Sequence, residues 1–308
     1  SGDDYTTDLA VDASGRVHVT GRTFGSDFPT TPGAYDESFN SIFFSDDVFV
    51  ARLAADASAL EWSTFLGGSL RDEAEALALA PSGNVLVAGL SGSSDFPVTP
   101  GAFDESFNSG ALNDGFVAAL SSDGSSLLAA TFVGGSDRVV IDDVDLDGDD
   151  IVFVGTTLAD DLPVTGGVLP GLFGGGVSDG FVGRLSADLS SLEWLTFLGG
   201  SGDDELHAVA LTDAGQATLA GTTSSPDLVA AGGADDATLD GTHDAWIARL
   251  ADDAASLVYQ GYHGGSSSET GEAVALDAFG GARIVGSSDS FDVTTTAGAF
   301  DTSPNGAD

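Results

Sequence analysis

The sequence predicts an all-β fold made of four-stranded antiparallel sheets that repeat along the chain. Three observations carry that expectation. The pair Gly67-Gly68 returns as Gly134-Gly135, Gly199-Gly200 and Gly264-Gly265, at spacings of 67, 65 and 65 residues. Between these pairs the same strand-length segments recur in the same order. No stretch between them has the apolar period of a helix.

The first element of each unit is a hairpin. It reads LAVDASGRVHVTGRT at residues 9–23, LALAPSGNVLVAGLS at 77–91, VDLDGDDIVFVGTT at 144–157, VALTDAGQATLAGTT at 209–223 and VALDAFGGARIVGSS at 274–288. Val- and Ile-rich runs flank turn residues such as DASG and APSG, which is hairpin chemistry. The next element, DVFVARL at 47–53, returns at 114–120, 179–185 and 244–250. The last is LEWSTFLGG at 60–68, returning at 127–135, 192–200 and 257–265, with aromatics spaced to pack between sheets. Between hairpin and FVxxL strand lies a long polar excursion, GSDFPTTPGAYDESFNS at 25–41 and SSDFPVTPGAFDESFNS at 93–109.

Four strands every 65 to 68 residues point to radial repetition, a β-propeller of four-stranded antiparallel blades. A β-helix or other solenoid, or a string of small domains, remains a less economical arrangement, and immunoglobulin-like units would need about seven strands each. The expectation is one repeat-built domain over 1–308, with repeats at 1–68, 69–135, 136–200 and 201–265 and a partial one at 266–308. That gives four complete blades plus an additional hairpin, 18 strands where five blades need 20. The missing FVxxL and WxTF strands are expected either from chain following Asp308 or from a neighbouring subunit.

These motifs, in this order, resemble the bacterial and archaeal β-propeller repeat family called SBBP. The second copy carries the resemblance best, from Ala78 to Phe96, then Thr99 to Phe103, Asp114 to Leu120 and Thr131 to Gly135. The resemblance implies an exported or cell-surface module, often part of a larger protein, without assigned chemistry. It weakens at Ala159–Pro163 and at Ser225–Leu228, so a site needing identical loops would belong to the first two repeats.

Composition bounds the partners. The chain has 49 acidic and 8 basic side chains, no lysine and a net charge of −41. Self-repulsion of that size is short-ranged only in concentrated salt, so the surface reads as halophilic. It excludes nucleic acid, whose backbone needs cationic partners, and unaided docking on anionic lipid. Cysteine is absent, which removes disulfides and thiolate metal sites. No apolar run is long enough for a membrane-spanning helix.

In the excursions, Asp27, Asp36, Glu37 and Asn40, repeated as Asp95, Asp104, Glu105 and Asn108, admit two readings. The carboxylates can accept backbone N–H groups and pin the loop. Alternatively the oxygen-only set holds Ca²⁺, although no contiguous 12-residue loop fixes its geometry. Phe39 and Phe107 lie in the same excursions and are candidates for a partner surface. VDLDGDD at 144–150 reads as an acid-rich hairpin turn rather than a calcium loop. His18, His207, His243 and His263 fall at different repeat positions, and no nucleophile elbow or phosphate-binding loop occurs. Trp62, Trp194, Tyr259 and Trp246 fit core packing better than a carbohydrate platform. A buried pair of acids about 5 to 10 Å apart in one pocket would be the sign of a glycan-active enzyme. The leading expectation is therefore an extracellular or cell-surface structural or adhesive propeller, binding a protein partner or itself. A carbohydrate-binding propeller is the alternative.

Overall fold

The computed structural model describes residues 2–42, 45–110, 112–167, 169, 171–234, 236–296 and 298–301. Every regular element in them is a strand. The first sheet is β1 (Asp4–Val11), β2 (Val17–Thr23), β3 (Asp47–Leu53) and β4 (Leu60–Leu66), in that order. The second is β5 (Asp72–Leu79), β6 (Val85–Ser91), β7 (Asp114–Leu120) and β8 (Leu127–Val133). The third holds β9 (Val139–Asp147), β10 (Asp150–Thr157), β11 (Asp179–Leu185) and β12 (Leu192–Leu198), and the fourth β13 (Asp204–Leu211), β14 (Ala217–Thr223), β15 (Asp244–Leu250) and β16 (Leu257–His263). A two-stranded sheet, β17 (Glu269–Leu276) and β18 (Ala282–Ser288), follows. The expected four blades and additional hairpin are thus present, as up-and-down antiparallel sheets of the β-propeller type.

The registers show why the motifs look alike. In the first, second and fourth sheets the glycine of the second strand lies opposite the aromatic of the third: Gly21 with Phe49, Gly89 with Phe116 and Gly221 with Trp246. A bulge in the pairing of the first two strands, between Thr6 and Asp8, Ala74 and Ala76, Leu206 and Ala208, and Gly271 and Ala273, recurs at the same place in these sheets and in the β17–β18 hairpin. Such bulges increase local twist and are kept because they set the strand's aim.

The chain divides into two compact units, one of Ser1–Phe153, Thr157–Pro163 and Arg184–Glu193, the other of Val154–Thr156, Val164–Gly183 and Trp194–Asp308. In the first, β5 packs against β1 and β2, and β9 against β5 and β6, so the first strand of each following sheet lies on the first two strands of the sheet before it. Its core joins both sheets through Val48, Val50, Trp62, Leu66, Ala74, Val87, Phe116 and Phe132. In the second, β17 packs against β13 and β14 in the same manner. Phe96 tilts onto Phe116 and Phe132 at centroid distances of 4.6 and 5.8 Å, and Phe28 stacks on Phe49 at 4.4 Å. Phe96 of the second SDFP segment is therefore a core side chain of its own sheet, and Phe28 of the first is half-buried at the equivalent place.

Candidate functional site

Each excursion is held by its own side chains and by the fourth strand of its sheet. Asp36 Oδ1 accepts the Ser38 N–H and its Oδ2 the Asn40 amide, while Glu37 reaches back to the Gly33 N–H at 2.8 Å. The second copy repeats this with Asp104 on Ser106 and Asn108 and Glu105 on Gly101 at 2.7 Å. The Asp36 and Asp104 N–H groups donate to the Thr64 and Thr131 hydroxyls. Asn40 and Asn108 N–H groups donate to Asp47 and Asp114 at the start of the FVxxL strands.

Six of the eight residues weighed as calcium ligands thus sit in two equivalent loops, where the four carboxylates accept loop donors and Asn40 and Asn108 donate their side-chain amides. Asp95 lies elsewhere, accepting the Ser69 N–H at 2.9 Å, and Asp27 occupies the equivalent position in the first copy. Among the described residues no group of three or more His, Asp or Glu is placed to hold a metal ion. Phe39 and Phe107 are half-buried, edge-on to Phe65 at 5.8 Å and Phe132 at 5.7 Å. Their rings staple the loop to the sheet and leave the carboxylates and Ser38 or Ser106 as the outward surface.

Asp95 reveals a role that sequence comparison missed. Its carboxylate takes the N–H and hydroxyl of Ser69, just after Gly67-Gly68. Asp161 does the same for the Ser136 N–H, Asp227 for Ser201 and Asp292 for Ser266, at 2.8 to 2.9 Å. The segments that depart from SDFP keep this cap, because the spacing to Asp is preserved while Phe-Pro is not. The signal was present in the sequence as an Asp 26, 25, 26 or 26 residues after the serine of each GGS.

A buried acid pair also brackets three of the Gly-Gly turns. A Cβ on Gly67 would lie 2.9 Å from Asp72 Oδ2 and 3.0 Å from Asp47 Oδ1. At Gly199 the neighbours are Asp204 and Asp179, and at Gly264 Asp244 and Glu269. Gly134 faces Asp114 alone, since Val139 stands where the second acid would be. There the Thr157 hydroxyl bonds the Arg138 carbonyl, whereas Thr223 bonds Asp204 and Ser288 bonds Glu269. Burial raises the Asp72 carboxyl to about 7, with the Asp47 charge adding to the effect. Asp179 is likewise raised to about 7 by burial, then by Asp204 and Asp203. Asp47, Asp114, Asp204 and Asp244 are raised chiefly by burial. The acids accept turn N–H groups, as Asp72 does from Gly68 and Asp204 from Gly200, both at 2.7 Å. They are fully enclosed. Their geometry serves the turn.

A cavity of about 630 Å³ in the first unit runs along the hairpin turns of its first two sheets and is lined by Asp12, Arg16, His18, Arg52, Pro81 and Asp123. Its cations are already spent: Arg16 pairs with Asp12 at 2.7 Å, and Arg52 bonds Glu61 at 2.8 Å and the Ser122 carbonyl at 2.5 Å. His18 is buried, edge-on to Trp62, and burial lowers its pKa. His207 is on β13, His243 just before β15 and His263 at the end of β16. Trp62, Trp194 and Trp246 are buried, which assigns them to the core. The VDLDGDD segment is the β9–β10 turn, where Arg184 bridges Asp147 and Asp150 at 2.7 and 2.9 Å.

No family model matches the chain, and no curated protein matches it. Among solved structures, the chain is similar to the Pyrococcus horikoshii acylaminoacyl peptidase at 10% identity and a TM-score of 0.40, over 83% of this chain and 32% of that one. It is similar to the extracellular domain of a hybrid two component system from B. thetaiotaomicron at 8% identity and a TM-score of 0.39, over 91% and 30%. It is also similar to Kuenenia stuttgartiensis hydrazine synthase at 11% and 0.30, over 84% and 97%. The chain spans about a third of the length of the first two. No residue or activity is carried over from likenesses of this degree.

Proposed function

We propose that this chain is a structural or adhesive module of the SBBP type, working at the surface of, or outside, a salt-adapted microbe and presenting its excursions to a protein partner. The observation that supports this reading is the duplicate construction of residues 25–41 and 93–109. Their internal hydrogen bonds match one for one, and both fix an acidic, serine-tipped loop on a sheet edge. A loop ordered before contact loses little conformational entropy on binding. Repetition of that loop adds avidity when the partner is itself repetitive. In concentrated salt the surface charge is screened to a few ångströms, so shape and short-range polar contacts decide the fit.

The test places an arginine on both tips, Ser38→Arg with Ser106→Arg, where the side chains are exposed. Binding of the purified chain to cell envelopes at molar salt is expected to fall at least about tenfold with the melting temperature unchanged. Undiminished binding by the double variant would reject the excursions as the contact surface.

A further inference from the structure

His18 is 1% exposed, yet among the described residues neither of its ring nitrogens has a hydrogen-bond partner. Asp12 Oδ2 lies 3.6 Å from Nε2, beyond hydrogen-bond reach. Burial lowers the ring's pKa, so at neutral pH it is an uncharged imidazole with one N–H to give and one lone pair to accept. The fold does not require a polar group at this place. His18 stands between Ala10 and Arg52 in the first sheet, and the same register position in the second, between Ala78 and Ala119, holds the buried Leu86. An unpaired imidazole costs stability where a leucine serves, so its use calls for a role outside folding.

The ring lines the cavity of about 630 Å³, a size that holds a small molecule. One wall is the β1–β2 turn with Asp12 and Arg16, the other the β5–β6 turn with Leu79 and Pro81. Charge inside cancels in pairs, Arg16 on Asp12 and Arg52 on Glu61. An anionic ligand would meet Asp12 and Asp123 with both guanidiniums engaged, and a cationic one would have to displace an arginine from its acid. A neutral ligand meets neither obstacle. Asp12 Oδ2 stands between Arg16 and His18, and the Arg16 side chain is 38% exposed. A surface ion pair of this kind holds weakly, so its displacement opens Nε2 to the groove. The group that then fits is a hydroxyl, which donates to the carboxylate and accepts from the imidazole N–H at once.

We propose that this groove binds a neutral, polyhydroxylated ligand of sugar-ring size, one hydroxyl bridging His18 Nε2 and Asp12 Oδ2 and the C–H face of the ring resting on Leu79 and Pro81. A free sugar and the terminal residue of a glycan share this chemistry. The site is separate from the excursion tips. Val11, Val17, Leu53 and Leu60 mark the strand ends beside the groove, whereas Thr23, Asp47 and Leu66 mark the opposite ends, where the Gly-Gly turns lie. It also belongs to the first two sheets alone. At the places of His18 and Arg52 the second sheet has Leu86 and Ala119, and the fourth has Thr218 and Arg249, so the other sheets whose registers are described lack the imidazole.

The probes are glucose, galactose, N-acetylglucosamine and their methyl glycosides, with methyl glucuronide and glucosamine as charged analogues, added to the whole histidine-labelled chain at molar salt. Saturation-transfer NMR is expected to show saturable binding of at least one neutral ring, with the His18 ring signals moving while those of His207, His243 and His263 stay. Binding of the methyl glycoside assigns the site to a glycan terminus, and binding of the reducing sugar alone to a free sugar. The charged analogues and the His18→Leu variant are each expected to bind at least about tenfold more weakly. Because Leu86 fills the equivalent place, His18→Leu should melt no lower than the wild type; His18→Gln, which keeps a donor and an acceptor, should recover part of the binding. The proposal is overturned if no neutral ring moves the His18 signals, if His18→Leu binds as the wild type does, or if the glucuronide binds equally well. The Ser38→Arg, Ser106→Arg variant leaves the groove untouched, so envelope binding and sugar binding fail independently.

Discussion

Asp72 shows how a single carboxyl can tie this fold to pH. It is enclosed beside Asp47, accepts the Gly68 N–H and the Ser93 hydroxyl, and burial lifts it to about 7. In the unfolded chain the group ionises near the ordinary Asp value of about 3.9. Between these two values the native state binds the extra proton, so its contribution is complete below about 4 and is lost as pH rises through about 7. Asp179 acts in the same direction. Denaturant midpoints at fixed molar salt should therefore be higher for the wild type at pH 5 than at pH 8. Asp72→Asn removes this titration, and its cost relative to wild type should shrink by about 1–2 kcal/mol between pH 5 and pH 8. A cost independent of pH would place the proton elsewhere. Phe116 gives the apolar counterpart: it is fully buried against Phe96 and opposite Phe132, and Phe116→Ala should cost about 3–5 kcal/mol in denaturant unfolding.

At the scale of the element, the Asp that follows each Gly-Gly-Ser by about 25 residues links one sheet's last turn to the next sheet's excursion. Asp95→Ala leaves the Ser69 N–H and hydroxyl without their acceptor, at an exposed position where water substitutes. The expected loss is about 1 kcal/mol, read in thermal unfolding, with faster exchange confined to the turn at residues 67–70. The strands themselves were legible in the sequence because alternating apolar residues, glycine-containing turns and four-fold repetition all agree. The hairpin after the fourth unit was legible for the same reason. The loop caps were not, since SDFP, ADDLP, SSPDL and DSFDV align poorly as strings although each keeps the one Asp that bonds the turn. The acid pairs were hidden too: Asp47 and Asp72, or Asp179 and Asp204, are 25 residues apart and meet only because the Gly-Gly turn lets two strand starts converge. Phe39 and Phe107 looked outward from sequence because their neighbours are polar; the T-shaped contacts with Phe65 and Phe132 turn them inward.

For the whole molecule, the decisive quantity is the charge of −41 and how little of it is paired. Among the described residues, Arg16, Arg22, Arg52, Arg71, Arg184 and Arg283 each meet an acid, Arg22 and Arg71 sharing Glu73. With 49 acids against 8 arginines, most carboxylates have no cation to meet, and their mutual repulsion is left to solvent ions. The Debye length shrinks from about 10 Å at 0.1 M salt to about 3 Å at 1 M. The thermal midpoint should therefore climb steeply between these concentrations, and sodium chloride and choline chloride should act alike at equal ionic strength, because screening does not depend on the cation's coordination chemistry. Calcium supplies a contrasting arm. Added at micromolar levels in constant ionic strength, it should leave the midpoint unchanged if the excursion carboxylates do no more than accept the loop donors described here. A midpoint that ignored choline chloride but rose with micromolar calcium would overturn the screening account and return Asp36, Glu37 and Asn40, with Asp104, Glu105 and Asn108, to the role of cation ligands.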